Sequence, residues 1–503
     1  MPDKLDATVG SIRAPLRDIL TGAVVSFLGI IIMRLAGLSE KVLIARFFDP
    51  SRYGQVILAI SLLSMVTVVG TLGLRTGVVR YLSRHDNKSD QLRVVTASVR
   101  LTGVASAVFA VLLFLFSDVL AMRIFNDPQM APLLKIVAVG VPLAVLGQLG
   151  ASIARGMKDA RSKNLIENIS FPVSRVLFIG GAIVLGFGTI GIGWAYVGGY
   201  AFMTLLGASY VYLVFGIPNA SDVEYRNLLR FSVPLLFANS MSFINSSLDT
   251  ILIGAFLTSD QVGIYGAAYP LGRLVFIAPT IMGVIFTPVI SDLQASDKVQ
   301  EIPKIYAIVA RWIVILTLPG LILLVIEPEI FLRFIFGTEY STGSTALVIL
   351  ALGFFFHVGL GINGGTLKML GQSDFFLFST VVNAVINVGL NIWLIPRIGI
   401  VGAAVATAVS YAIGNSLVSI QLYRDYRITP LTIDNLLTYF IYLPIIGISY
   451  TALSSVFGGF GLILSVYLLA LLVFLIAYFV SSIPSVEERQ IIDEYRSQLF
   501  DDY

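Results

Sequence analysis

The chain has 503 residues, of which 57% are hydrophobic and only 13% charged, and its formal net charge is +3. A water-soluble protein needs about a quarter charged residues, so the solvent for most of this chain is lipid. The absence of cysteine excludes disulfides and thiolate metal sites, two histidines (His85 and His357) argue against a histidine metal cluster, and so small a net charge does not suggest nucleic acid.

Residues 1–19 carry mixed charge and lead into an apolar run too long for a signal-peptide core, with no small-residue cleavage pattern. They are expected to form a cytoplasmic segment ahead of a retained helix. A helix needs roughly 20 apolar residues to cross about 30 Å of hydrocarbon. Runs of that kind fall at 20–45, 54–78, 94–116, 131–153, 168–186, 190–213, 229–256, 262–289, 305–325, 343–363, 375–395, 399–421, 437–456 and 460–480. Tight turns marked by Gly and Pro divide neighbouring runs at GFGTIG (186–191) and IPRIG (395–399). The expected fold class is an all-α integral membrane protein of about 14 transmembrane helices.

Lys and Arg collect in cytoplasmic loops. With both termini inside, and Arg230 at the edge of its run counted with the inner segment beside it, 20 of the 33 Lys and Arg fall in inner segments, 5 in outer loops and 8 within spans. Loops are all short, which leaves no room for a soluble catalytic domain, so the function has to be performed by the helices. There is no Walker A motif or nucleotide-binding glycine loop, hence no ATP, no cofactor and no catalytic residue is expected. An H+ or Na+ gradient, the membrane potential, or consumption of the product then supplies the energy.

Aligned with itself at an offset of 209, the chain places EKVLIARFFDPSRYGQVILAISL (40–62) over DTILIGAFLTSDQVGIYGAAYPL (249–271) without a gap. Gly54 meets Gly263, Phe47 meets Phe256, and Glu40 falls on Asp249; the same offset sets Gly193 and Ala195 on Gly402 and Ala404. Six spans separate the copies, so both run the same way through the membrane, as in parallel transporter repeats. The expected organisation is an N-lobe over 20–213, a cytoplasmic linker over 214–228, a C-lobe over 229–421, two further helices over 437–480 and a cytoplasmic tail over 481–503.

The segments LIARFFDPSRYGQ (43–55), LGLRTGVVRYLSR (72–84), ARGMKDARSKN (154–164), DTILIGAFLTSDQVGIYGAAYPLGR (249–273) and NAVINVGLNIWLIPRIGIVGAAVATAVS (383–410) resemble the Wzx-like polysaccharide-export and oligosaccharide flippases. These belong to the multidrug/oligosaccharidyl-lipid/polysaccharide (MOP) exporter superfamily, with the multidrug and toxin extrusion transporters and the lipid II flippases. The resemblance runs to about residue 480. It implies two six-helix lobes around a central cavity, alternating access, and two added C-terminal helices.

A charge at the centre of a bilayer costs at least about 2.5 kcal/mol and usually faces protein or a water-filled cavity. Arg34 lies near the middle of the first run, and Arg273 lies roughly 16 Å down the eighth at 1.5 Å per residue. Both, with Arg75 one turn from a cytoplasmic helix end, are candidates for holding a pyrophosphate, because guanidinium forks match phosphate oxygens. Buried pairs with Glu40 or Asp249 are the competing structural reading. Ser242, Asn245 and Asp249 share one helix face, which makes Asn245 a candidate substrate contact and Asp249 a coupling or gating acid. Glu40 is the repeat-related candidate, with a structural role as its alternative. Arg100, Lys135, Arg175 and Arg311 read as interfacial anchors or contacts for anionic lipid. Asn383, Asn387 and Asn391 read as glue between helices or a cavity lining. Asp159 and Asp374 read as turn residues.

The expected function is a flippase for a polyprenyl-(pyro)phosphate-linked oligosaccharide in the cytoplasmic membrane, with that substrate, membrane lipids and a coupling ion as its partners. A cation-coupled drug antiporter of the same fold is the first alternative, and a membrane glycosyltransferase or polymerase the second. Short outer loops argue against the latter.

Overall fold

Lipid offers backbone N–H and C=O groups no partner, so long apolar runs close their hydrogen bonds internally as helices. A computed structural model describes residues 29, 31–85, 87–220, 225–455 and 458–480, and the regular structure among them is helical throughout. Within those residues the chain divides into two compact units, the first ending at Gly266 and the second beginning at Ala267.

The first unit holds α1 (31–47), α2 (Pro50–Gly70), α3 (Leu74–Leu82), α4 (Lys88–Val119), α5 (Ala131–Gly156), α6 (Ala160–Lys163), α7 (Phe171–Val184), α8 (Gly188–Phe215) and α9 (Tyr225–Phe256). The division falls inside α10 (Ser259–Gly272). The second unit continues with α11 (Ile277–Ala295), α12 (Ile302–Ile326), α13 (Pro328–Ile335), α14 (Ser344–Gly359), α15 (Asn363–Met369), α16 (Ser373–Tyr426), α17 (Ile433–Ser454) and α18 (Gly459–Val480).

Among the described residues, ten helices are long and apolar enough to cross a membrane, and shorter apolar helices cover Ser247–Phe256 and Gly459–Phe474. One of the ten, α16, leaves helical geometry at Ile398 (φ −130°) and Gly399 (φ +63°), so the expected IPRIG turn joins two helices within it. The other expected turn lies between α7 and α8, where Gly186 and Gly188 take φ of +72° and +61°.

Three expected runs differ in detail. Residues 54–78 do not form one helix: the chain breaks at Leu72 and Gly73 (φ +51° and +73°) between α2 and α3. A Cβ on Gly73 would stand 2.0 Å from the Ser232 carbonyl oxygen of α9, so only glycine permits this crossing. The run at 168–186 opens with a π-helix over Asn164–Ser170 ahead of α7. Pro172, at the start of α7, has no N–H to return to the preceding turn, which favours the wider winding. In the run at 262–289, Pro270 precedes a 3-10 turn over Arg273–Phe276.

Arg311 also departs from expectation. It is buried on α12, where its Nε donates to Asn435 Oδ1 on α17 at 2.7 Å. Asn435 Nδ2 in turn donates to the carbonyls of Ala307 (2.9 Å) and Pro430 (2.8 Å). Arg311 therefore ties two helices together and does not anchor at the headgroups.

Candidate functional site

Arg75 sits in the first turn of α3, set there by the break at Gly73. Its Nη1 donates to Gln148 Oε1 of α5 at 2.9 Å, and its Nη2 meets Glu167 Oε1 at 2.7 Å. Glu167 lies in the π-helix, and its other oxygen is 3.4 Å from Lys163 Nζ of α6. The side chains of Arg75 and Glu167 keep 32% and 24% of their surface exposed, and that of Lys163 21%. Two cations thus share one carboxylate in a partly exposed pocket of charge. Sequence reading found Arg75 but missed Lys163, Glu167 and Gln148 as its company. An acid in an otherwise apolar run after ARSKN was the available signal.

A second charged pair lies deeper. Glu40 of α1 meets Arg175 Nε of α7 at 2.5 Å, with side chains only 6% and 13% exposed. The Arg175 guanidinium also lies over the rings of Phe171 (4.7 Å) and Tyr196 (5.0 Å). Arg175, expected at the lipid interface, is therefore inside the unit. The Glu40–Arg175 pair is electrically neutral and closed off, the geometry of an internal tie. Arg34, on α1, has an exposed side chain.

Asp249 of α9 is buried, and accepts a hydrogen bond from Tyr265 Oη of α10 at 2.9 Å. The side chains of Ser242 and Asn245 lie outside the described residues. The repeat-related glycines Gly54 and Gly263 meet each other: a Cβ on Gly54 would stand 1.7 Å from the Ser259 carbonyl oxygen, and one on Gly263 1.9 Å from that of Pro50. Asp127 fastens this seam, accepting from Gln55 Nε2 at 2.8 Å and Ser259 Oγ at 2.6 Å. Nothing in the sequence marked Asp127, since its partners are 72 and 132 residues away.

In the second unit, Arg273 is exposed, with the rings of Tyr269 and Phe276 at 5.8 and 5.7 Å from its guanidinium carbon. No carboxylate pairs with it among the described residues. His357 lies 5.4 Å from the Phe276 ring and 6.1 Å from that of Tyr411. Asn383, Asn387 and Asn391 are all buried on the first half of α16. Asn387 Nδ2 donates to Thr407 Oγ1 and Ser410 Oγ of the second half, both at 3.4 Å, and Asn391 Nδ2 donates to Asn387 Oδ1 at 3.1 Å. Of the asparagine stripe, Asn387 thus ties the two halves of α16 together. Asp159 caps α6 by accepting from the Ser162 N–H at 3.0 Å, as a turn residue should.

A family model described as "Polysaccharide biosynthesis protein" matches residues 43–345, more than half of the chain. The chain belongs to that family. A probable low-salt glycan biosynthesis flippase of Haloferax volcanii is 24% identical over 423 residues, covering 82% of this chain and 83% of the relative. A putative O-antigen transporter of Shigella flexneri is 23% identical over 405 residues, covering 78% and 94%. Among solved structures, the lipid II flippase MurJ in an inward closed conformation aligns with a TM-score of 0.71 at 15% identity, over 91% of this chain and 99% of that one. An inward-facing multidrug resistance transporter of the MATE family aligns with a TM-score of 0.62 at 17% identity, over 80% and 97%. At such identities the structural likeness shows the fold alone. The family match and the flippase names of the relatives agree with the Wzx-like resemblance, the chain shares the fold of the MurJ and MATE structures, and its long apolar helices make it a multi-pass membrane protein.

Proposed function

We propose that the chain carries a polyprenyl-(pyro)phosphate-linked oligosaccharide across the cytoplasmic membrane by alternating access, for polysaccharide or glycoprotein biosynthesis. The observation that carries this reading is the Arg75–Glu167–Lys163 cluster, which has one more positive than negative charge and is open to solvent in a family whose relatives bear flippase names. A pyrophosphate reaching the cluster displaces Glu167 as the partner of Arg75 and Lys163, while Gln148 keeps the guanidinium oriented. When the substrate leaves, Glu167 closes on the cations again, so they are never left unpaired. Arg34 and Arg273 are further cations for the same kind of group. Asn245 is a sugar contact on the Asp249 face.

Asp249, held by Tyr265, is the acid through which an H+ or Na+ gradient acts. Glu40 is a structural tie to Arg175. Fourteen crossings with both termini cytoplasmic, an N-lobe over 20–213 and a C-lobe over 229–421 joined by the 214–228 linker, and two added helices over 437–480 are supported by the skew of Lys and Arg to one side.

The test is reconstitution of the purified chain into vesicles carrying a polyprenyl-pyrophosphate oligosaccharide in one leaflet. Appearance of the sugar in the other leaflet, above protein-free vesicles, is the expected result. Failure to move it, with efflux of a cationic dye that disappears in Asp249→Asn, would replace this reading by a cation antiporter.

A further inference from the structure

The geometry points to a binding site for an anionic membrane lipid on the outside of the first unit, with its headgroup on Arg100 and one chain in a groove between α4 and α8. The groove, of about 330 Å³, is lined by Val99, Leu146, Ile153, Ala208, Val211 and Ile217 among others, and its walls are almost wholly apolar. Its floor is α5. There the backbones of α5 and α8 touch, since a Cβ on Gly150 would stand 2.6 Å from the Cα of Gly207. Small residues at this crossing leave the flanking helices apart above it, and a space of chain-like character stays open.

Arg100 stands at one end of this groove. It follows Val99 on α4, and its Nη2 donates to Asn219 Oδ1 at 2.7 Å, next to the lining residue Pro218. Its Nη1 donates to Tyr225 Oη at 3.1 Å. Both acceptors are neutral, and among the described residues no carboxylate pairs with this exposed guanidinium. The depth fits a phosphate. At the far end of α4, Asp118 pairs with Lys135 at 2.9 Å, both partly exposed as at a headgroup layer. From Asp118 back to Arg100 is about 27 Å of helix at 1.5 Å per residue, close to the thickness of the hydrocarbon. Arg100 therefore lies at the opposite headgroup layer, on the side that also carries Arg80, Arg84, Lys88 and Arg93. A basic pocket between helices at that level is a site for an anionic lipid headgroup. A lipid drawing on the same donors competes with Asn219 and Tyr225 for Arg100.

Native mass spectrometry of the full chain in detergent, titrated with phosphatidylglycerol or phosphatidylcholine of identical chains, tests the site. The parent should retain phosphatidylglycerol about five-fold better, the factor for roughly 1 kcal/mol per arginine at an anionic surface. Arg100→Gln should abolish that preference, and Arg100→Lys should keep most of it. Ala208→Trp, which fills the groove, should lower retention of both lipids at least three-fold. An unchanged preference in Arg100→Gln overturns the proposal, as does displacement of phosphatidylglycerol by inorganic phosphate alone at equal concentration. If Arg100→Gln does not fold, unchanged retention in Ala208→Trp overturns it equally.

Discussion

The two units stabilise their polar interiors with different partners for their charges. The first unit uses charge: a buried neutral pair, Glu40–Arg175, and a solvent-reached cluster in which Arg75 and Lys163 share Glu167. The second sets its buried Arg311 on the neutral amide of Asn435, uses amides and hydroxyls along α16, with Asn387 bonded to Thr407 and Ser410, and leaves the exposed Arg273 among aromatic rings. Neutral hydrogen bonds hold helices together without binding ions. A charge cluster with an excess cation and access to solvent can do both. The contrast separates closed ties from partly exposed charge clusters, and it does so even within the first unit.

The largest expected effect comes from breaking the buried pair. Glu40→Ala leaves Arg175 uncompensated and should cost about 3–5 kcal/mol, whereas replacing both residues by leucine should restore most of the loss. Thermal unfolding of the purified variants reads this out. A double variant no better than Glu40→Ala would mean the pair is more than a tie. Next is the seam of Gly54 and Gly263. Valine at Gly54 forces backbone apart, because its Cβ would meet a carbonyl oxygen at 1.7 Å where real contacts stay above 3.0 Å. Transport by Gly54→Val should fall at least ten-fold. The absence of native cysteine lets a cysteine pair placed across α2 and α10 report whether the seam has opened.

Smaller effects sharpen the other side of the contrast. Asn387→Ala should cost only about 0.6–2 kcal/mol, the range for hydrogen bonds between membrane helices, and leave transport near the parent rate. A loss of transport with intact stability would move the asparagine stripe from glue to substrate contact. Smallest is the cap at Asp159. Although its partial burial works the other way, the Ser162 N–H and hydroxyl and the Arg161 N–H hold its carboxyl below the ordinary range. A depressed acid stabilises the fold above its unfolded pKa, and that contribution disappears as pH falls through the folded value. Asp159→Ala should therefore be up to about 1 kcal/mol less stable at neutral pH, and the gap should close in the acid range.

Much of the helical plan was legible, because a crossing helix needs a long apolar run and Gly or Pro marks its ends. The turns at Gly186–Gly188 and Gly399 fell where expected. The break at Leu72–Gly73 did not, because it is imposed by the close approach of α9, 159 residues further on. The π-helix at Asn164–Ser170 was missed for a similar reason: Pro172 was visible, but the winding it permits depends on what Glu167 and Asn168 then reach. Among site residues, Arg75, Glu40 and Asp249 stood out as charges in apolar runs. Their partners did not. Arg175 lies 135 positions from Glu40 in the chain, and no local spacing rule links them. Burial rather than composition distinguishes the structural arginines Arg175 and Arg311 from the accessible Arg75.

The most direct test of the account is the flipping rate of a polyprenyl-pyrophosphate oligosaccharide in vesicles, measured for the parent, Arg75→Gln and Asn387→Ala, with unfolding temperatures taken on the same preparations. Arg75→Gln should lose at least ten-fold in rate with little change in stability, since its pair with Glu167 is half-exposed and worth no more than about 1 kcal/mol. Asn387→Ala should flip at close to the parent rate. Flipping by Arg75→Gln at the parent rate would contradict the account, because the charge cluster of the first unit would then have no part in moving the substrate.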